Sequence, residues 1–305
     1  MDAKRMRSNL MLLLTAFIWG VAFVAQSVGM DYVGPFTFNA VRSVIGGVVL
    51  IPCIFLIDRF SGAKSKPVPT PEQKRKNLRT LILGGVCCGA ALAVGSNLQQ
   101  IGIAHTTVGK AGFITALYII IVPIFNIFLG KKAPAIIWVS VALAVAGMYL
   151  LCITEGFSIS KGDFLVLLCA VGFSVHILVI DYFSPMVDGV RMSCIQFFVS
   201  GLISSVLMFL FEQPQWSSIL AAWAPVLYAG VLSCGVAYTL QVVAQKNTDP
   251  VVASLILSLE SVLAVLAGWA LLGQALSLRE IGGCVLVFCA IILAQLPSPK
   301  KKQRS

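Results

Sequence analysis

The stretch PVVASLILSLESVLAVLAGWALL, residues 250–272, holds a single charged side chain, Glu260, in 23 residues. A helix of that length rises about 34 Å, enough to cross a hydrocarbon core of roughly 30 Å. Lys246 and Asp249 precede the run and Arg279 follows it, so its ends are marked by groups that belong in water. Residues 107–129, TVGKAGFITALYIIIVPIFNIFL, repeat the pattern, again with one charge, Lys110. The whole chain is built this way. Its 305 residues are 58% hydrophobic and 11% charged, with a mean hydropathy of +0.95. A soluble domain carries about 25% charged residues, and one core cannot hide this much apolar surface. The bilayer is the solvent such a composition requires.

Ten spans account for the length. They run over Asn9–Val28, Pro35–Ile57, Leu78–Gln99, Thr107–Leu129, Ile136–Cys152, Asp163–Tyr182, Met192–Phe211, Trp223–Gln245, Pro250–Leu272 and Glu280–Leu296. The first run follows Lys4, Arg5 and Arg7 but is too long for a signal peptide and lacks a cleavage site, so it stays as a helix. The segment Asp58–Asn77 is the longest loop, and Ile153–Gly162 is a polar turn. No room remains for a soluble catalytic domain. With the N-terminus inside, 18 of the 22 Lys and Arg fall on the cytoplasmic side and 3 outside, leaving Arg42 within the bilayer. Both termini are therefore expected in the cytoplasm of a cell (plasma) membrane. The tail Lys300, Lys301, Lys302 and Arg304 belongs to this topology signal, with anionic headgroups a second reading, and nucleic acid is not an expected partner. The nine cysteines are scattered through apolar runs without CxxC spacing and read as small apolar fillers; no metal or other cofactor is implied.

The chain is also two copies of one unit. Leu14-Thr15-Ala16 through Gly20-Val21 aligns with Leu168-Cys169-Ala170 through Ser174-Val175, and Leu129-Gly130-Lys131 with Leu272-Gly273-Gln274. Five helices per copy is odd, so the second copy must lie inverted. The expected fold is all-α integral membrane, ten transmembrane helices as two inverted five-helix repeats around a central cavity. Residues 1–152 form the first repeat and 153–305 the second, with the basic tail. Inverted repeats suit alternating access, in which exchanging the two copies' conformations changes the open side.

The segment Asn247-Thr248-Asp249-Pro250 through Ser258-Leu259-Glu260-Ser261, ending in Trp269 and Leu272-Gly273, is similar to the second repeat of the EamA-type drug/metabolite transporters. So is its counterpart, His105-Thr106-Thr107 through Gly112-Phe113-Ile114-Thr115-Ala116-Leu117-Tyr118 and Val122-Pro123. Trp19-Gly20 and the Pro35–Arg42 start of the second span fit the same pattern, so the resemblance covers the chain. It implies a secondary carrier, often an exporter of amino acids or related small metabolites, not an enzyme. The chain departs from the family at Gly130-Lys131 and Gly273-Gln274, where Gly-Glu is usual, and at Ser261, where proline is usual.

Charges within spans are the candidates for chemistry, because each costs about 2.5–3.5 kcal/mol at a helix centre. Arg42 lies about 10 Å below the outer surface and Glu260 near the midplane, a depth difference of about 5 Å that allows an ion pair or shared water. The repeat alignment sets Gln196 opposite Arg42 and Leu117 opposite Glu260. Arg42 reads as a carboxylate or phosphate clamp or as an inter-helix hydrogen-bond donor. Glu260 reads as a proton-coupling or substrate-amine site, or as an acid bonded between helices. His176, in span six, is a relay or a satisfied core histidine. Lys110, in the first turn of span four, reaches toward the outer surface. Polar faces at helical spacing mark a cavity wall or inter-helix contacts: Trp19, Phe23 and Gln26; Asn39, Arg42 and Gly46; Asn97 and Gln100; Tyr238, Gln241 and Gln245; and Tyr118. Paired glycines (Gly46-Gly47, Gly84-Gly85, Gly282-Gly283) mark close helix contacts, and Pro123 a bend in span four.

Together these point to a monomer or homodimer in the lipid bilayer that moves a small-molecule substrate, with a proton as possible co-substrate. Alternatives are a multidrug or cationic-compound efflux carrier, a channel, or a membrane-embedded enzyme. The last lacks paired carboxylates or a nucleophile with a base. Site candidates are Arg42, Glu260, His176, Trp19, Asn97, Tyr118, Tyr238 and Gln241.

Overall fold

The computed structural model describes residues 3–60, 70–131, 134–152, 160–272 and 277–295. All regular elements among them are helical. They are α1 (Ala3–Gly29), α2 (Pro35–Phe60), α3 (Pro71–Ile103), α4 (Val108–Thr115), α5 (Tyr118–Phe128), α6 (Ala135–Cys152), α7 (Lys161–Phe183) and α8 (Gly189–Phe211). Then follow α9 (Trp216–Ala221), α10 (Trp223–Leu227), a π-helix (Tyr228–Tyr238), α11 (Thr239–Gln245), α12 (Pro250–Leu257), α13 (Leu259–Leu272) and α14 (Leu278–Gln295). Eight helical stretches are long and apolar enough to cross a membrane, and Ala135–Leu150 and Ile281–Ala294 are shorter apolar helices. The basic tail, the turn after Cys152, Gly273-Gln274 and most of the loop after α2 lie outside the described residues.

Capping residues set where helices begin. Thr70 accepts from Gln73 N with Pro71 in the first turn, so α3 starts seven residues before its apolar run does. Thr107 caps α4, Asp188 caps α8, and Asp249 followed by Pro250 starts α12. Ser160 and Asp163 form a reciprocal capping box on α7. At the end of α5, Gly130 takes φ +76°, a left-handed position open to glycine, while Lys131 N donates to Asn126 O.

The interior mixes an apolar core with many buried polar side chains, and large apolar side chains cover the outside, as a lipid-facing surface requires. Arg42, Asn39, Gln100, His176 and Glu260 are buried, whereas Phe55, Phe128, Phe209 and Leu202 are exposed. Helices α2 and α8 run antiparallel and are stapled at both ends. Glu212, just past α8, accepts from Phe36 N, Thr37 N and the Thr37 hydroxyl at the start of α2. Arg191, near the start of α8, grips Asp58 near the end of α2 at 2.7 and 2.9 Å. Helices α6 and α14 are likewise antiparallel: Arg279 lies 5.6 Å over the Tyr149 ring, and Gly147 packs against Gly283. The α3–α7 pair closes on Gly95 and Gly172, where an added Cβ on Gly172 would meet Gly95 Cα at 3.0 Å. Gly46, Gly47, Gly84 and Gly85 are also contact points, but Gly282 meets nothing within 4 Å. Cys53, Cys87, Cys88, Cys169, Cys194, Cys234 and Cys289 are free thiols.

Two spans expected to be continuous are broken. The fourth divides at Ala116-Leu117, where Ile119 N donates to Ala116 O and Ile120 N to Leu117 O in tight i→i−3 bonds. The break therefore lies one to two turns before Pro123, which is inside α5. Pro123 cannot donate to Ile119 O, and its ring crowds that carbonyl. The ninth span divides at Ser258 with no proline between Val251 and Leu272. There Ser254, Ser258 and Ser261 hydroxyls each donate to the carbonyl three residues back (Val251, Leu255 and Ser258), at 2.7–2.8 Å. Such back-bonding competes with the helical ladder and bends it. On the alignment that sets Leu117 opposite Glu260, the two breaks coincide to within about two residues. The eighth span is interrupted differently, by the 11-residue π-helix.

Candidate functional site

The breaks put polar residues at helix ends in the middle of the bundle. Tyr118 is the first residue of α5 and Glu260 lies in the first turn of α13. Tyr118 Oη donates to Glu260 Oε1 at 2.9 Å, so one hydrogen bond joins the two interrupted spans. Just across the first break, Thr115 accepts from Gln99 Nε2 at 3.1 Å and meets Cys169 Sγ at 3.7 Å.

Gln99, Thr115, Tyr118 and Glu260 line one narrow cavity with about 30 Å³ open to water. From α1 come Trp19, Phe23 and Gln26, two helical turns along one face. Arg42 enters from α2, His176 with Phe173 and Ile177 from α7, and Gln241 from α11. The π-helix contributes Ser233 and its last residue, Tyr238. A π-turn is a common feature of functional sites, and here it carries an aromatic hub. Tyr238 contacts Trp19 (4.5 Å between ring centroids), His176 (5.8 Å) and Phe197 (5.8 Å). The widened turn is held by Thr15, which donates to Ala237 O, and by Tyr228, which donates to Ile18 O.

Arg42 is 3% exposed and donates to Gln26 Oε1 at 3.0 Å, with its guanidinium 5.6 Å over the Phe38 ring. Gln26 is held in turn by Gln100, which donates to its backbone carbonyl. No carboxylate lies within 4 Å of Arg42 among the described residues, so Arg42 and Glu260 line the same cavity without forming an ion pair. The register of the helices explains the gap. Gly20 of α1 packs against Leu263 and Ala264 of α13, and Phe23 and Val24 share a cluster with Ala264 and Ala267, so α1 and α13 run parallel. Glu260 lies three residues before Leu263 and Gln26 six residues after Gly20, an axial offset of about 13 Å. Tyr238 stands between, within electrostatic range of both charges.

Seven of the eight candidates from the sequence, Trp19, Arg42, Tyr118, His176, Tyr238, Gln241 and Glu260, thus face one space. Asn97 does not. It accepts from Asn39 and donates to Ser204 and Ala93 O, tying α2, α3 and α8 together. The cavity residue of α3 is Gln99, two positions on. Its signal is the Gln99-Gln100 pair, of which one member turns to Thr115 and the other to Gln26. His176 Nε2 meets Gln196 Oε1 at 3.1 Å. Each half therefore pairs a residue of its second span (Arg42 or Gln196) with one of its first (Gln26 or His176). Lys110 Nζ lies 3.9 Å from Asp163, which also accepts from the Thr106 hydroxyl.

The sequence matches the model of the EamA-like transporter family twice, over residues 6–153 and 160–296. An uncharacterized transporter of Archaeoglobus fulgidus is 30% identical over 294 residues, covering 96% of this chain and 87% of that protein. The uncharacterized transporter YoaV of Bacillus subtilis is 22% identical, covering 93% and 95%. The uncharacterized inner membrane transporter YedA of Escherichia coli K12 is 23% identical, covering 92% and 87%. One solved crystal structure superposes with a TM-score of 0.74 at 20% identity, over 94% of this chain and 96% of its own, a likeness of fold.

Proposed function

We propose a function from one premise: the chain belongs to the EamA-like transporter family. It is a multi-pass membrane transporter, and we infer that it carries small zwitterionic or anionic metabolites, amino acids and their relatives, by alternating access. The observation that carries this reading is the cavity at mid-bundle holding a buried cation, Arg42, and a buried carboxyl, Glu260, neither neutralised by the other. A lone buried cation costs several kcal/mol unless an anion meets it, and a substrate carboxylate is such an anion. The same Arg42 weighs against a lipophilic-cation carrier, because it repels that cargo. The antiparallel α2–α8 and α6–α14 pairs support two inverted halves, residues 1–152 and 153–305. The basic-residue asymmetry supports cytoplasmic termini, and the resemblance alone supports export. Glu260 is the group we assign to a substrate amine or a coupled proton.

The test is flux in proteoliposomes against a panel of amino acids, sugars, nucleotides and cationic drugs, with and without a pH gradient. Arg42→Gln and Glu260→Gln should each cut amino-acid flux by at least about tenfold, equivalent to 1.4 kcal/mol, while the protein still inserts. Normal flux in both variants would overturn the site, and no flux of any solute would overturn the carrier.

A further inference from the structure

Arg42 is held by a side chain that can give way to a stronger partner. The cavity has only about 30 Å³ open, room for a water or two, so any solute that reaches Arg42 must first widen it. In this closed arrangement Arg42 is 3% exposed. A cation sealed from water needs an acceptor far more than an exposed one does. Among the described residues no carboxylate supplies it. Arg42 donates instead to Gln26 Oε1 at 3.0 Å, and the Phe38 ring lies 5.6 Å from the guanidinium. The backbone carbonyl of Gln26 accepts from Gln100 Nε2 at 3.1 Å, so the turn of α1 that presents the amide is tied to α3.

The amide suits this place better than either alternative. A hydrogen bond to an ionised group is strong even from a neutral partner, so Gln26 lowers the cost of burying the charge. It does not cancel that charge, and an incoming carboxylate still displaces it from the guanidinium. A glutamate here would neutralise Arg42 and compete with the cargo. A side chain without an oxygen would leave the charge to Phe38 alone. Glu260 is treated in the same way, because the Tyr118 hydroxyl that donates to it at 2.9 Å is also neutral. In alternating access a net carrier closes both loaded and unloaded, whereas an obligate exchanger closes only loaded. The loaded closing brings a carboxylate to Arg42; the unloaded closing brings none.

We infer, on the transport reading above, that Gln26 stands in for the substrate carboxylate: its amide holds Arg42 while the unloaded carrier closes and reorients, so the protein performs net transport rather than obligate exchange.

Proteoliposomes loaded with a radiolabelled mixture of the protein amino acids, at equal pH on both sides, report the two modes. Net efflux is followed into amino-acid-free medium, and exchange into medium holding the same mixture unlabelled. The wild type should release label into both media at comparable rates. Gln26→Met keeps the length of the side chain and removes its oxygen. Its ratio of net efflux to exchange should fall by at least about tenfold, because only the unloaded closing loses its acceptor. Gln26→Glu keeps an acceptor, so its ratio should stay near the wild-type value. Its half-saturating concentration in exchange should rise by at least about tenfold, because the fixed carboxylate competes for Arg42. A purely structural Gln26 would lower both modes together, and an unmoved ratio in Gln26→Met overturns the inference. So does an unchanged half-saturation in Gln26→Glu. Release by the wild type in exchange alone overturns it as well, in a measurement that needs no variant to fold. Movement of no amino acid in either mode overturns the carrier reading itself, and the role of Gln26 falls with it.

Discussion

Tyr118 and Glu260 form the bond on which the two interrupted spans meet, and each side chain has a different job in it. The Tyr118 hydroxyl donates, so the carboxyl keeps its second oxygen for another partner. Tyr118→Phe removes one inter-helix hydrogen bond, and such bonds average about 0.6 kcal/mol within membranes. The variant should therefore unfold within a degree or two of wild type in a thermal scan, yet transport more slowly, because Glu260 loses the group that orients it. A large fall in thermal stability with unchanged flux would make the bond structural only. Packing gives a sharper contrast at single residues. A Cβ at Gly20 would overlap Leu263, whereas one at Gly282 meets nothing. Gly20→Val should destabilise by about 1–3 kcal/mol through overpacking of α1 on α13. Gly282→Ala should be neutral or stabilising by up to about 1 kcal/mol, since alanine is the better helix former. Detergent-resistant thermal unfolding of the two variants side by side distinguishes them.

At the scale of elements, the two half-helix breaks are made by different chemistry at matching positions. In α4–α5 a proline lies downstream of the gap; in α12–α13 three serine hydroxyls divert the local carbonyl bonds. Replacing Ser254, Ser258 and Ser261 together by alanine should restore the continuous ladder and withdraw Glu260 from Tyr118. Flux should fall by about tenfold or more, the scale of one lost charge-positioning interaction, while Arg42-dependent ligand binding persists; undiminished flux would show that the break is incidental. Long apolar runs are local signals, so eight membrane-length helical stretches and their order are legible in the amino-acid sequence itself. The break at Ser258 is not, because serine is common in helices and only the coincidence of three hydroxyl back-bonds makes a gap. The π-helix leaves no sequence mark either, since its residues have an ordinary apolar pattern. The cavity is largely legible from polar residues at helical spacing. Asn39, Asn97, Gln100 and Gln245 are the exceptions, bonded between helices instead, because a polar face alone does not say whether it meets a cavity or two neighbouring helices.

Across the whole molecule, the contacts at the ends of the bundle join one half to the other. Glu212 and Arg191 fasten α8 to both ends of α2. Thr106 and Lys110, at the start of α4, meet Asp163 at the start of α7. These links differ in what they must allow. The α2–α8 pair is stapled at both ends and runs antiparallel along its length, so it suits an unchanging frame. The Thr106–Asp163 link ties one end of an interrupted span to the other half at a single point, on the same span as the break that carries Tyr118. In an alternating-access cycle a link of that kind has to open when the cavity opens on its side. A Thr106→Cys, Asp163→Cys pair, placed in a background without the native thiols, should therefore cross-link on mild oxidation and stop solute exchange. Reduction should restore it. An Asp58→Cys, Arg191→Cys pair, joined across the frame by a reducible bifunctional thiol reagent of about 10 Å because a direct disulfide could not span the arginine's length, should leave exchange within about twofold of the uncross-linked protein. The two flux measurements, each with and without reductant, set the moving contact against the fixed one. Full exchange through the cross-linked Thr106–Asp163 pair would show that this end of the bundle stays shut throughout transport, and the opening would then have to be sought elsewhere, along α1 and α13.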